Sequence, residues 1–148
     1  MISKEFYNGE LISAADKTKA INFLKGKPPV EFYDVRGQER MDPGEPSYYN
    51  LKEVKKVYDL IVKVIETHPD LPLKEIGIIS PYKRQVRRIK QHLEEKIPGS
   101  NDIFVGSVDS FQGSEKKVIV ISTVRSNPPA LGEGRVGFLS NKSRLVPK

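Results

Sequence analysis

The run "IGIIS" at residues 76–80 limits the fold more than any other stretch of the chain. It is short, apolar and uninterrupted, so it leaves no side for water and reads as a strand buried on both faces, the habit of parallel sheets. Ser80 and Pro81 follow at once and mark a helix start, with Pro81 at the first helical position. Tyr82, Val86, Ile89 and Leu93 then recur at helical spacing. Two further strand signals come later, "IFVGSV" and "KVIVIS", the second again a buried run. The pattern predicts an α/β sheet with helices packed on it. Ligands on such sheets sit at the carboxyl ends of the strands.

Another helix begins upstream. Asn50 suits its N-cap, and Glu53 falls three residues on, as in a capping box. Leu51, Val54, Tyr58, Ile61 and Ile65 share a face, and Pro69 stops the helix. "PPVEFYDV" reads as a strand through Val30, Phe32 and Tyr33. "RGQERMDPGEPSYYN" reads as a loop rich in Gly, Pro and charge. Nearer the ends, Asn8-Gly9 marks a turn, a short helix ends at Gly26, and "NPPALGEGRVGFLSNKSRLVPK" is loop-like.

Composition narrows the function classes. With 148 residues the chain has the length of one domain. Its 30% charged and 37% hydrophobic residues are a globular balance. No apolar run reaches the roughly 18 residues of a membrane span, and the start has no basic-then-apolar leader. Cysteine is absent and there are two histidines, which removes disulfides and makes a zinc site a poor expectation. No G-x-x-x-x-G-K-[ST] loop and no H-E-x-x-H is present. The net charge of +6 admits a polyanionic partner without requiring one.

Two constellations carry possible chemistry. Lys83, Arg84, Arg87, Arg88 and Lys90 lie away from the apolar stripe of their helix. They form either a solvated face balanced by Glu94 and Glu95, or a face that tracks phosphates beside an anion-favouring helix start. In "VDSFQGSEKK", Asp109 can cap a short turn, with Gln112 in the box position and Gly113 ending the turn at positive φ. That reading leaves Glu115, before a buried strand, and Arg125, just after one, without a task.

"SVDSFQGSEKKVIVISTVRSN" resembles motif V and its strand in superfamily 1 helicases of the nonsense-mediated-decay, Argonaute-associated and senataxin-like group. "IGIISPYKRQVRRIK" resembles the strand and helix that precede it in those enzymes. "FYNGEL", "FYDVRGQE" and "SYYNLKEV" fall in the family's order, and "GFLSNKSRL" resembles the run-up to motif VI. The resemblance covers nearly the whole chain. It implies the second of two RecA-like, P-loop NTPase-type domains: a three-layer α/β fold with a mainly parallel sheet, a single domain over residues 1–148, truncated before the last motif.

The same resemblance implies roles. Ser80, Pro81, Tyr82, Arg84 and Gln85 match a turn that touches the nucleic-acid backbone, and Ser107, Val108 and Asp109 lie near its phosphates. Gln112 and Gly113 stand between that track and the nucleotide cleft, and Glu115 faces the nucleotide. Arg125 lies at the cleft edge, or pairs with Glu115 or Asp109. Gln112, Glu115 and Arg125 are thus the catalytic candidates, and Gly113, Glu115 and Arg125 the nucleotide-binding ones. Gly37 and Glu39 match a loop element. The implied ligands are ATP and Mg2+ in the full-length enzyme, with the Mg2+ ligands in the first domain. The implied partners are that first RecA-like domain and single-stranded nucleic acid, with RNA expected and no membrane. The setting is intracellular, cytoplasmic or nuclear. The motif VI arginine finger, worth roughly 10³ to 10⁵ in rate, does not occur in the chain; Arg144 belongs to the segment before it. The chain alone is therefore expected not to hydrolyse ATP. The alternative is a non-catalytic α/β module that binds nucleic acid or protein.

Overall fold

The computed structural model describes residues 30–125. The turn at Asn8-Gly9, the helix before Gly26, the loop after Ser126 and Arg144 lie outside the described residues. Strand β1 (Arg40–Met41) pairs antiparallel with β2 (Tyr48–Tyr49). Helix α1 (Leu51–Thr67) follows, then β3 (Ile76–Ile79), α2 (Lys83–Glu94), β4 (Phe104–Gly106), the one-turn α3 (Val108–Phe111) and β5 (Val118–Ile121).

The sheet order is β4-β3-β5, and both pairings are parallel. "IGIIS" is a buried parallel strand as expected, with all four residues of β3 buried, and it is the middle strand of the described sheet. Val54, Val57 and Ile61 of α1, Ile89 and Leu93 of α2, and Ile76, Ile78 and Val105 of the sheet share one core. Gly77 of β3 faces the other way: a Cβ there would stand 3.4 Å from the Phe111 ring and 3.0 Å from Lys116. The Phe111 ring also meets Phe104, with centroids 5.3 Å apart.

Several expectations are corrected. Residues 30–33 form no strand, and Phe32 is 94% exposed. The loop "RGQERMDPGEPSYYN" contains the β1–β2 hairpin instead. Its turn has Pro43 second and Gly44 third at φ 81°, closed by Glu45 N–H donating to the Asp42 carbonyl at 3.2 Å. That is the chemistry of a type II turn. Helix α2 starts at Lys83 with Tyr82 as N-cap, so Pro81 lies before the helix. The Ser80 N–H is used otherwise, donating to the Gly106 carbonyl at 3.0 Å. Among the described residues β5 is the last strand of the sheet and has one open face: Val118 and Val120 pack on the core, while Ile121 is 66% exposed. Leu51, in the first turn of α1, is 45% exposed, and Val57 holds the buried position instead.

Candidate functional site

In a parallel sheet all carboxyl ends lie along one edge. The turns after β3, β4 and β5 therefore gather residues 80–82, 107–109 and 122–125 there. The side chains behind that edge form a buried polar network. Asn50 is the N-cap of α1, as its sequence position predicts, accepting from Lys52 N–H at 3.1 Å and Glu53 N–H at 3.3 Å. Its own N–H donates to Gln85 Oε1 at 2.9 Å. Gln85 Nε2 donates to Ser122 Oγ at 2.9 Å, and Ser122 Oγ donates to Glu53 Oε2 at 2.6 Å. Glu53, 8% exposed, does not close a capping box; it reaches across to β5's end.

The same Glu53 oxygen accepts from Val124 N–H at 3.0 Å, and Asn50 Nδ2 donates to the Val124 carbonyl at 3.2 Å. Val124 has φ 71°, and Arg125 N–H donates to the Thr123 carbonyl at 2.8 Å. This is a γ-turn with positive φ, rare and strained, on a β-branched residue that resists it. Both backbone groups of the strained residue are clamped from the start of α1.

The turn delivers Arg125 to Glu39. Its Nε donates to Oε2 at 2.9 Å and Nη2 to Oε1 at 3.3 Å, a bidentate pair. The guanidinium lies over the Tyr48 ring, 5.0 Å from its centroid, and its side chain is 15% exposed. Glu39 raises the Arg125 pKa above its ordinary value. Burial pushes the Tyr82 phenol up, against the pull of neighbouring Arg125. Arg125 thus pairs with Glu39, not with Glu115 or Asp109. The separation explains this. Lys117 N–H bonds the Glu75 carbonyl at the amino end of the sheet, so the length of β5, at about 3.3 Å per residue, separates Glu115's end from Arg125's.

Other expected site residues fall as follows. Gln112, Gly113 and Glu115 are exposed, and neither side chain of the two polar ones has a hydrogen-bond partner among the described residues. Gly113 takes φ 75° and ends the turn as expected. The cap of α3 is Ser107 rather than Asp109: its Oγ accepts from Ser110 N–H at 3.2 Å, because the helix begins two residues earlier. Val108 and Asp109 are exposed within that turn. Ser80, Tyr82 and Gln85 are buried, so their side chains build the edge, while Pro81 and Arg84 keep partial exposure.

Arg84 is already engaged. Its Nε donates to Asp42 Oδ2 at 2.7 Å, its Nη2 bonds the same oxygen, and Nη1 donates to Glu45 Oε2 at 2.9 Å. Arg88 Nη2 donates to Asp42 at 3.2 Å and Arg87 Nη1 to Glu45 at 3.3 Å. Ser47 Oγ accepts from Arg84 N–H at 3.1 Å, which satisfies a free donor of the helix start. The Arg84 hydrogen bond, then that from Tyr49, holds the Asp42 carboxyl below its ordinary range. Lys83, Arg87 and Lys90 remain exposed at i, i+4 and i+7. Among the described residues no group of three acidic, histidine or cysteine side chains could hold a metal, and no helix is long and apolar enough to cross a membrane.

Reasoning from the sequence missed Glu53, Ser122, Val124 and the carboxylates of the hairpin. Only the unusual Glu53, polar at a helix face next to buried positions, carried any signal.

The parallel sheet with helices packed on it is the α/β architecture of RecA-like domains. The chain matches the AAA domain family over residues 1–146 and belongs to it, as a superfamily 1 helicase domain. It is 35% identical to the putative helicase mov-10-B.1 of Danio rerio over 159 residues, 95% of this chain and 16% of that protein. It is 38% identical to the RNA helicase Mov10l1 of Mus musculus over 155 residues, 97% of this chain and 13% of that protein. An uncharacterised ATP-dependent helicase of Methanocaldococcus jannaschii is 35% identical over 158 residues, 97% of this chain and 21% of that protein. The chain therefore spans between about an eighth and a fifth of the length of these relatives.

Proposed function

We propose that this domain is the second of two RecA-like motor domains in a longer ATP-dependent helicase that moves along single-stranded nucleic acid, and that the nucleic acid is RNA. The observation that carries the reading is the meeting of three turns, after β3, β4 and β5, on one carboxyl edge. Its similarity to an RNA helicase and to an ATP-dependent helicase supports it.

ATP held between the two domains would supply the free energy for closing and reopening them. This chain's part is half of the cleft. Gln112 and Glu115, exposed and without a protein partner among the described residues, offer an amide and a carboxylate to the nucleotide, and Gly113 lets the turn approach it. Arg125, fixed to Glu39 at the other end of β5, stiffens the carboxyl edge. Mg2+ would be held by the first domain, as the resemblance to these helicases implies. Ser107, Val108 and the exposed cations of α2 would lie along the nucleic-acid backbone. Contacts of that kind read no sequence and weaken with salt. The lack of cysteine fits an intracellular setting, cytoplasm or nucleus.

The test is ATP turnover by the full-length helicase with and without single-stranded RNA. Turnover stimulated by RNA, reduced at least tenfold by Glu115→Ala, is expected; the 148-residue chain alone is expected to be inactive. Robust RNA-stimulated turnover by the chain alone would overturn the half-site reading.

A further inference from the structure

The basic face of α2 is divided in two by charge. Arg84 and Arg88 lie one turn apart and converge on Asp42, while Glu45 takes Arg84's remaining edge. Asp42 is held in turn by the Tyr49 hydroxyl at 2.9 Å. Ser47 covers the Arg84 N–H, so one donor of the helix start that would favour a phosphate is also taken. Arg88 is fixed further by stacking over the Tyr49 ring, 4.9 Å from its centroid. At the base of the hairpin, Arg125 grips Glu39, the residue before β1, and stacks on Tyr48 of β2. The hairpin is thus anchored at its base while its tip presents two carboxylates to the helix. Each carboxylate occupies a guanidinium fork that a phosphate would otherwise take. On the adjoining stripe, Lys83 and Lys90 carry no acidic partner among the described residues, and Arg87, 69% exposed, has only the long contact to Glu45.

We infer that the β1–β2 hairpin is an internal phosphate mimic that sets the nucleic-acid footprint of α2: Asp42 and Glu45 withhold Arg84 and Arg88, and the polyanionic strand is left with Lys83, Arg87 and Lys90. The inference rests on the nucleic-acid reading proposed above. Its consequence is a domain that holds a single strand by few phosphates, as a motor that must release and re-grip requires. Removing the two carboxylates adds phosphate contacts and tightens the grip.

The experiment measures binding of the 148-residue chain to fluorescent oligouridylate across a salt series. The slope of log K against log salt changes by about 0.7 per phosphate contact on a single strand. The Asp42→Asn/Glu45→Gln variant is expected to bind several-fold tighter at low salt and to steepen the slope by about 1.4, as two arginines are released. Glu45→Gln alone, which leaves the Asp42 anchor in place, is expected to steepen it by a smaller amount, which keeps the test available if the double variant does not fold. Arg84→Ala is expected to leave the wild-type slope within about 0.2, because Arg84 is outside the footprint. An unchanged slope in the folded carboxylate variants would sink the inference, and so would a loss of about 0.7 in Arg84→Ala. If the Lys83→Ala/Arg87→Ala/Lys90→Ala chain binds like wild type, or wild type shows no salt-dependent binding, the nucleic-acid reading itself fails.

Discussion

Glu53 and Val124 stand 71 residues apart in the chain, and the Val124 N–H donates to the Glu53 carboxylate at 3.0 Å. The same oxygen, Oε2, also receives the Ser122 hydroxyl. A residue in the first turn of α1 thereby holds the strained turn that follows β5. Because both bonds fall on one oxygen, a carboxamide can accept both. Glu53→Gln is expected to cost under about 1 kcal/mol, while Glu53→Leu leaves two buried donors unmet and costs about 2–4 kcal/mol. Urea unfolding monitored by circular dichroism reads the difference. Equal losses for the two variants would show that charge, not geometry, matters here.

Gly37 lies against the cap of α1. A Cβ added there would stand 2.2 Å from Asn50 Oδ1. Asn50 is itself fully buried and bonded on every side, so it cannot yield. Gly37→Ala is expected to destabilise by about 2–4 kcal/mol through overpacking and loss of the cap. A melting temperature within a degree of wild type would show that the loop moves aside.

The Asp42 carboxyl is held below the ordinary value of 3.8, first by its hydrogen bond from Arg84 and then by that from Tyr49. A depressed pKa means that the unfolded chain takes up the proton more readily than the folded one. The stabilisation is therefore complete above the ordinary carboxylate pKa and is lost as pH falls through the folded value. Stability should fall more steeply below about pH 4 in wild type than in Asp42→Asn. Parallel acid limbs for the two proteins would contradict this.

Two isoleucines of neighbouring strands should differ sharply. Ile78 in β3 is fully buried, whereas Ile121 of β5, which pairs with Ile79, is 66% exposed. Ile78→Ala is expected to cost about 2–5 kcal/mol and Ile121→Ala about 0.5 kcal/mol or less. A loss above about 1.5 kcal/mol for Ile121→Ala would mean that this face of β5 is covered in solution.

Much of the fold was legible where local chemistry and burial agree. "IGII" needs two covered faces, Asn50 is a good cap, and Gly113 tolerates positive φ; each stands as read. The hairpin was not legible. Two-residue strands such as Arg40–Met41 carry no period, and a Pro-Gly turn among charges reads as loop. The open face of β5 was hidden too, because "VIVI" looks the same whether one face or both are covered. Of the candidate site, the three carboxyl-end turns could be placed from strand order. The distance that sets Glu115's end of β5 apart from Arg125's could not, since both flank the same motif in sequence.

What the chain's residues dictate locally is therefore the parallel α/β core, the two long helices and the presence of an excess of cations on α2. Those follow from apolar spacing, capping groups and charge, which act within a few residues of each other. What the tertiary structure decides is which charges remain available. Asp42 and Glu45 meet Arg84, Glu39 meets Arg125, and Glu53 meets Val124 across gaps of 39 to 86 residues. An ion pair or a buried hydrogen bond is fixed by distance in space over a few ångströms, and spacing along the chain carries no measure of that distance until the backbone has folded.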